Sequence, residues 1–169
     1  MRAAGEELRA HGYATEATSL LEQAAAWYRG RPADEAVTQD VRSGLARTAY
    51  LAGRWTESWT LYEALRKEFP GNIDYLGALG AIAAHQERRD DARGVAAELR
   101  ALTRPNMGGR HTLWRARIAA LLNDRAEALT LLREAFSQGV PHGLALHVDP
   151  AFDGLRADPE FRELIEPKG

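Results

Sequence analysis

The chain has 169 residues and a mass of 18.6 kDa, enough for one domain whose core buries roughly 70% of the unfolded surface. With 45% hydrophobic and 27% charged residues, it has the composition of an ordered chain and not of a disordered or collagen-like one. Its 22 basic and 24 acidic residues leave a net charge of −2 and no global field toward nucleic acid or anionic lipid, and the absence of cysteine removes disulfides, thiolate nucleophiles and cysteine-ligated metals together.

Apolar periodicity and punctuation predict helices over about 2–11, 14–29, 34–53, 55–69, 73–88, 89–103, 110–123 and 125–138. The first two are divided by Gly12-Tyr13, and the connection Gly30-Arg31-Pro32-Ala33-Asp34 leads to the third. Turns follow at Gly53-Arg54, at Arg88-Arg89-Asp90-Asp91 and at Asn123-Asp124, while Gly108-Gly109 reads as an insertion between the sixth and seventh helices. Gly or Asn supplies the left-handed residue that ends a helix, and the polar residue after it is expected to cap the next. Gly44, Gly77, Gly80 and Gly94 fall inside helices, each at a cost of about 1 kcal/mol relative to Ala. Of these, only Gly80 has a reason in the pattern described next.

A small residue is followed twelve positions later by another at Gly5 and Ala17, Ala46 and Ser58, Gly80 and Ala92, and Ala116 and Ala128. Two helices joined by a tight turn approach closely only where both carry minimal side chains. The first members lie 41, 34 and 36 residues apart. Around them recur Leu45, Ala46 and Ala49 with Ser58, Tyr62, Leu65 and Pro70, then Leu79, Gly80 and Ala83 with Ala92, Ala96 and Leu99. This pattern resembles the W-x2-L-G-x2-Y…A-x3-F…P scheme of the tetratricopeptide repeat, whose period is 34 residues. It departs from that scheme at Arg42, Leu76 and Thr112, where Trp is typical, at Ala49, Ala83 and Ala119, where Tyr is, and at Pro105, one residue late.

The resemblance implies an all-α chain, a single right-handed α-solenoid domain over 1–169 with about four hairpins at 1–33, 39–72, 73–108 and 109–141. A short two-helix cap over 142–169 completes it. In the tail, Asp149-Pro150-Ala151-Phe152 and Asp158-Pro159-Glu160-Phe161 repeat Asp-Pro-x-Phe. Each Asp is placed to cap a helix with Pro at its first position, and Phe152, Leu155, Phe161 and Leu164 are expected to cover the last repeat. With Leu144-Ala145-Leu146-His147 before it, this stretch looks like the tails that close tetratricopeptide regions of bacterial signalling proteins.

Such solenoids bind peptides along the first helices of their repeats, so the resemblance implies a protein or peptide partner. The inward-facing positions it implies are Asp40, Ser43, Arg47 and Tyr50, then Gly77, Ala81, Ala84 and His85, then Arg110, Leu113, Trp114 and Arg117. Ser43, Arg47, Tyr50, Ala81, His85, Arg110, Trp114 and Arg117 are the binding candidates, the arginines because a guanidinium grips a carboxylate bidentately. A solvated helix face with internal partners is the alternative for those arginines. Close helix packing is the alternative to a pocket floor for Gly77 to Ala84. Trp55, Trp59 and Trp114 serve as anchors or fill gaps between repeats, and Trp27 with Tyr28 is expected to fill one. The family's Asn/Lys carboxylate clamp is not matched.

No enzymatic signature is found. His11, His85, His111, His142 and His147 include no i,i+4 pair, and phosphate-loop, nucleophile-elbow and dinucleotide patterns are missing. His142 and His147 lie near Asp149 and Asp153, but one short loop seldom supplies preorganised metal ligands. No apolar run reaches the 18 residues of a membrane span, and Met1 to Gly12 does not read as a secretory signal. The expectation is a non-catalytic cytoplasmic adaptor without cofactor, metal, nucleic acid or membrane. The alternative is a regulatory or self-associating C-terminal module of a larger kinase, cyclase or transcription regulator, and homo-oligomerisation stays open.

Overall fold

The computed structural model describes residues 1–103, 107–142 and 144–166. Its helices are α1 (Arg2–Ala10), α2 (Ala14–Arg29), α3 (Ala33–Ala36), α4 (Gln39–Leu51), α5 (Trp55–Glu68) and α6 (Ile73–His85). They continue with α7 (Arg89–Arg100), α8 (Arg110–Leu121), α9 (Arg125–Ser137), α10 (Leu144–His147), a 3-10 helix (Pro150–Leu155) and α11 (Pro159–Ile165). Among the described residues there is no strand, and the chain is all-α. Pro105 and the end of the expected cap, residues 167–169, lie outside the described residues.

A left-handed residue closes the first helix of each predicted hairpin: Gly12 (φ 85°), Gly53 (70°), Glu87 (59°) and Asn123 (63°). Each stands seven residues after Gly5, Ala46, Gly80 or Ala116, so the backbone repeats in register with the small side chains. The following amide donates to the carbonyl five residues back, Tyr13 to Leu8 at 2.8 Å and Arg54 to Ala49, Arg88 to Ala83 and Asp124 to Ala119 at 2.9 Å each. This 6→1 bond is that of the Schellman motif, and it satisfies a carbonyl the helix leaves open. In the third hairpin the left-handed position is Glu87, one residue ahead of the predicted turn. Only Asp124 caps the next helix with its side chain, accepting from Glu127 N at 3.1 Å; Tyr13, Arg54 and Arg88 make no such bond.

Residue contacts group the chain into two units, Met1–Gly71 and Asn72–Gly169. In the first, α1 packs on α2, α2 on α4 and α4 on α5. Ala46 and Ser58 are both fully buried between α4 and α5, and Ser58 donates its hydroxyl to the carbonyl of Ala46 at 2.9 Å. The third predicted helix is divided: Thr38 breaks it and caps α4, its hydroxyl accepting from Val41 N at 3.4 Å. Gly44 has a packing reason after all, because the ring of Tyr28 lies where a side chain would be. Trp27, by contrast, stays 48% exposed, edge-on to Tyr28 and beneath Arg31, instead of filling a gap.

In the second unit α6 packs on α7 and α8, α7 on α8, and α8 on α9. The run Tyr75 to Ala84 is buried all round, as a helix without a polar face requires. Gly77 lies directly under the indole of Trp114, and Gly80 against Ile118 and Val95. The small-residue run is therefore a helix-packing surface. The tail closes the far side of α8 and α9: Phe152, Leu155, Phe161 and Ile165 join Ala116, Leu129 and Leu132 in one cluster, with Leu164 partly buried against it. Asp149 accepts from Ala151 N at 3.0 Å, and Asp158 from Glu160 N at 2.9 Å and Phe161 N at 3.3 Å. The first capping element is a 3-10 helix, and α10 precedes it unforeseen.

Candidate functional site

In the first unit the predicted residues lie on α4. Ser43 returns its hydroxyl to the carbonyl of Asp40 at 3.2 Å. Tyr50 is buried, only 2% exposed, and the guanidinium of Arg47 lies over its ring at 5.4 Å. Arg47 also donates to Glu6 of α1 at 2.8 Å. This pairing ties the first hairpin to the second.

In the second unit Arg110, Trp114 and Arg117 come together on one face of α8, spaced as i, i+4 and i+7. Trp114 donates its indole N–H to Asp74 Oδ1 at 2.9 Å, and Arg110 pairs with Oδ2 of the same carboxylate. Arg117 stacks over the Trp114 ring at 4.3 Å and donates to Asp149 Oδ2 at 2.7 Å. Asp149 is buried (side chain 3% exposed), so this ion pair is desolvated and couples α8 to the cap. Ala81 is fully buried in α6, and His85 is half-buried at its end. All three arginines therefore hold carboxylates of their own chain.

The cap is fixed from its other side as well. Arg156 donates to the carbonyls of His147 and Asp149, the latter at 3.2 Å. Arg125 grips Asp158 and, at 2.7 Å, Glu160, which Arg133 also meets. The Arg125 guanidinium, helped by the amides of Phe161 and Glu160, holds the Asp158 carboxyl down at about 2, and Arg133 with Arg125 lowers Glu160. His142 stacks on Phe136 with ring centres 3.9 Å apart. Among the described residues no three His, Asp or Glu side chains are grouped to hold a metal.

A second face of the same unit carries a cleft of about 600 Å³ between α7 and α9, floored by α8. Ala96, Ala97, Ile118, Ala119, Leu122 and Leu131 form its apolar surface, and Arg89, Arg93, Arg100 and Arg115 with Asp124 and Glu127 its charged lining. Arg89 donates to the carbonyl of Leu122 at 3.0 Å and so borders the cleft at a helix end. Arg115 is only 14% exposed and lies 3.8 Å from Glu127. Burial, and then the charge of Arg115, push the His111 imidazole below its ordinary range against the opposing effect of Glu134.

No family model, curated protein or solved structure matches the chain. The cleft residues were not among the sequence-derived candidates, which lie on the first helices of the hairpins. A signal for them is present in the sequence: Arg89, Arg93, Ala96, Ala97 and Arg100 fall at i, i+4, i+7, i+8 and i+11, one stripe of a helix. Asp91 and Glu98 lie on the opposite side of the same helix and Asp90 at the edge of the stripe beside Arg93, and together they mask it when charges are counted along the chain.

Proposed function

We propose that the chain is a non-catalytic adaptor of tetratricopeptide-like hairpins, and that its second unit takes a protein or peptide segment in the α7–α8–α9 cleft. The observation that carries this reading is a lining that joins apolar side chains to an excess of arginines, four to two carboxylates, of which Arg93 and Arg100 are exposed. An open cleft of that chemistry offers apolar side chains a surface to cover and charged ones cations to meet. The four hairpin turns, alike in register and hydrogen bonding, support the repeat reading.

The α8 face is the weaker candidate, because its cations are already engaged. A ligand carboxylate that took Arg117 would strand the buried Asp149, at a cost of several kcal/mol. Selection of random peptides displayed on phage against the full chain tests the proposal. Enriched peptides should lose binding to Ala97→Trp, which fills the cleft from an exposed position, with the circular dichroism unchanged. Failure to enrich any peptide, or binding indifferent to that substitution, would contradict the reading.

A further inference from the structure

Resting on the cleft as the binding site, we infer that its occupant is an acidic amphipathic helix of a partner protein. Along α7, Arg93 and Arg100 are seven residues apart with Ala96 and Ala97 midway between them. At 1.5 Å per residue that step is about 10 Å, two helical turns. A helix laid alongside α7 repeats its own side chains at the same seven-residue interval, so Glu-x-x-Leu-Leu-x-x-Glu sets both carboxylates opposite both guanidiniums. Its paired leucines then fall where α7 has only alanine and where Leu122 and Leu131 complete the apolar floor.

Charge selects the sign of the partner. Arg93 meets Asp90 at 3.5 Å with the two side chains 63% and 99% exposed, a contact that water screens, and Arg100 is exposed. The cleft's own acids are turned to other uses, Asp124 capping α9 and Glu127 lying beside Arg115. A basic or neutral helix of the same shape would leave the arginine pair unanswered, and the site discriminates against it.

The test uses fluorescence anisotropy on the full chain with three labelled peptides of two heptads: the Glu-x-x-Leu-Leu-x-x-Glu pattern, its Lys counterpart, and a scrambled peptide of the first one's composition. The patterned acidic peptide should bind, weaken with rising salt, and lose about tenfold or more in affinity to Arg93→Glu with Arg100→Glu. Ala97→Trp should block it without changing charge. Equal binding of the scrambled peptide, preference for the Lys peptide, or indifference to both variants overturns the inference. If the acidic peptide is not bound while phage selection still yields cleft-dependent peptides, the occupant is wrong and the cleft reading stands; if neither binds, both fall.

Discussion

Gly77 and Gly94 lie in successive helices and have opposite surroundings. A methyl group on Gly77 would overlap the Trp114 indole, whereas around Gly94 there is open space within 4 Å. Gly77→Ala should therefore destabilise the protein by about 1–3 kcal/mol through overpacking, and Gly94→Ala should stabilise it by about 1 kcal/mol through helix propensity. Denaturant unfolding of the two variants beside the parent measures both. The sequence alone left Gly77 between a groove position and close helix packing and gave Gly94 no role, because the partner of Gly77 lies 37 positions away at Trp114 and local periodicity carries no record of it. Glu87 is a related case. It holds the left-handed conformation that Gly12 and Gly53 hold without a Cβ, so Glu87→Gly should raise stability by about 1 kcal/mol. An unchanged or lowered unfolding midpoint would show that the Glu87 side chain offsets its backbone strain.

At the scale of elements, the hairpins were legible because turn chemistry and small-residue spacing are both local. Helix α2 matches its predicted bounds, and α1 and α5 to α9 end within three residues of theirs. The long predicted helix over 34–53 failed because Thr38 competes for the backbone and starts a new helix. The tail was legible for a similar reason, since Asp-Pro-x-Phe encodes a cap, a first-turn proline and an anchor at fixed offsets. Its attachment also depends on charge. The folded-state value of Asp158 is lowered from 3.8 to about 2, so the stabilisation is complete above pH 3.8 and is lost as the pH falls toward about 2. Backbone amide resonances of α11, followed by NMR through that window, should report release of the helix before the rest of the fold. In Asp158→Asn the transition should be reduced to the part carried by Glu160 with Arg133 and Arg125, and a transition identical to the parent's would place the titrating group elsewhere.

For the molecule as a whole, the sequence supported an all-helical chain of paired helices, and the structure has that architecture. The candidate binding residues followed the resemblance to tetratricopeptide repeats. Here the cations at those positions close on Glu6, Asp74 and Asp149, acids up to 41 residues distant that no local pattern connects to them. The cleft is made by three helices brought together, and along the chain the Asp and Glu of α7 interrupt its arginine stripe. This cleft, and not the Arg110–Trp114–Arg117 face, is the proposed seat of the partner. Titration of the isotope-labelled full chain with the patterned acidic peptide, read by amide NMR, tests it most directly. Shifts concentrated on Arg93, Ala96, Ala97, Arg100 and Leu131 are predicted; shifts centred on Arg110, Trp114 and Arg117, or none at saturating peptide, would contradict it.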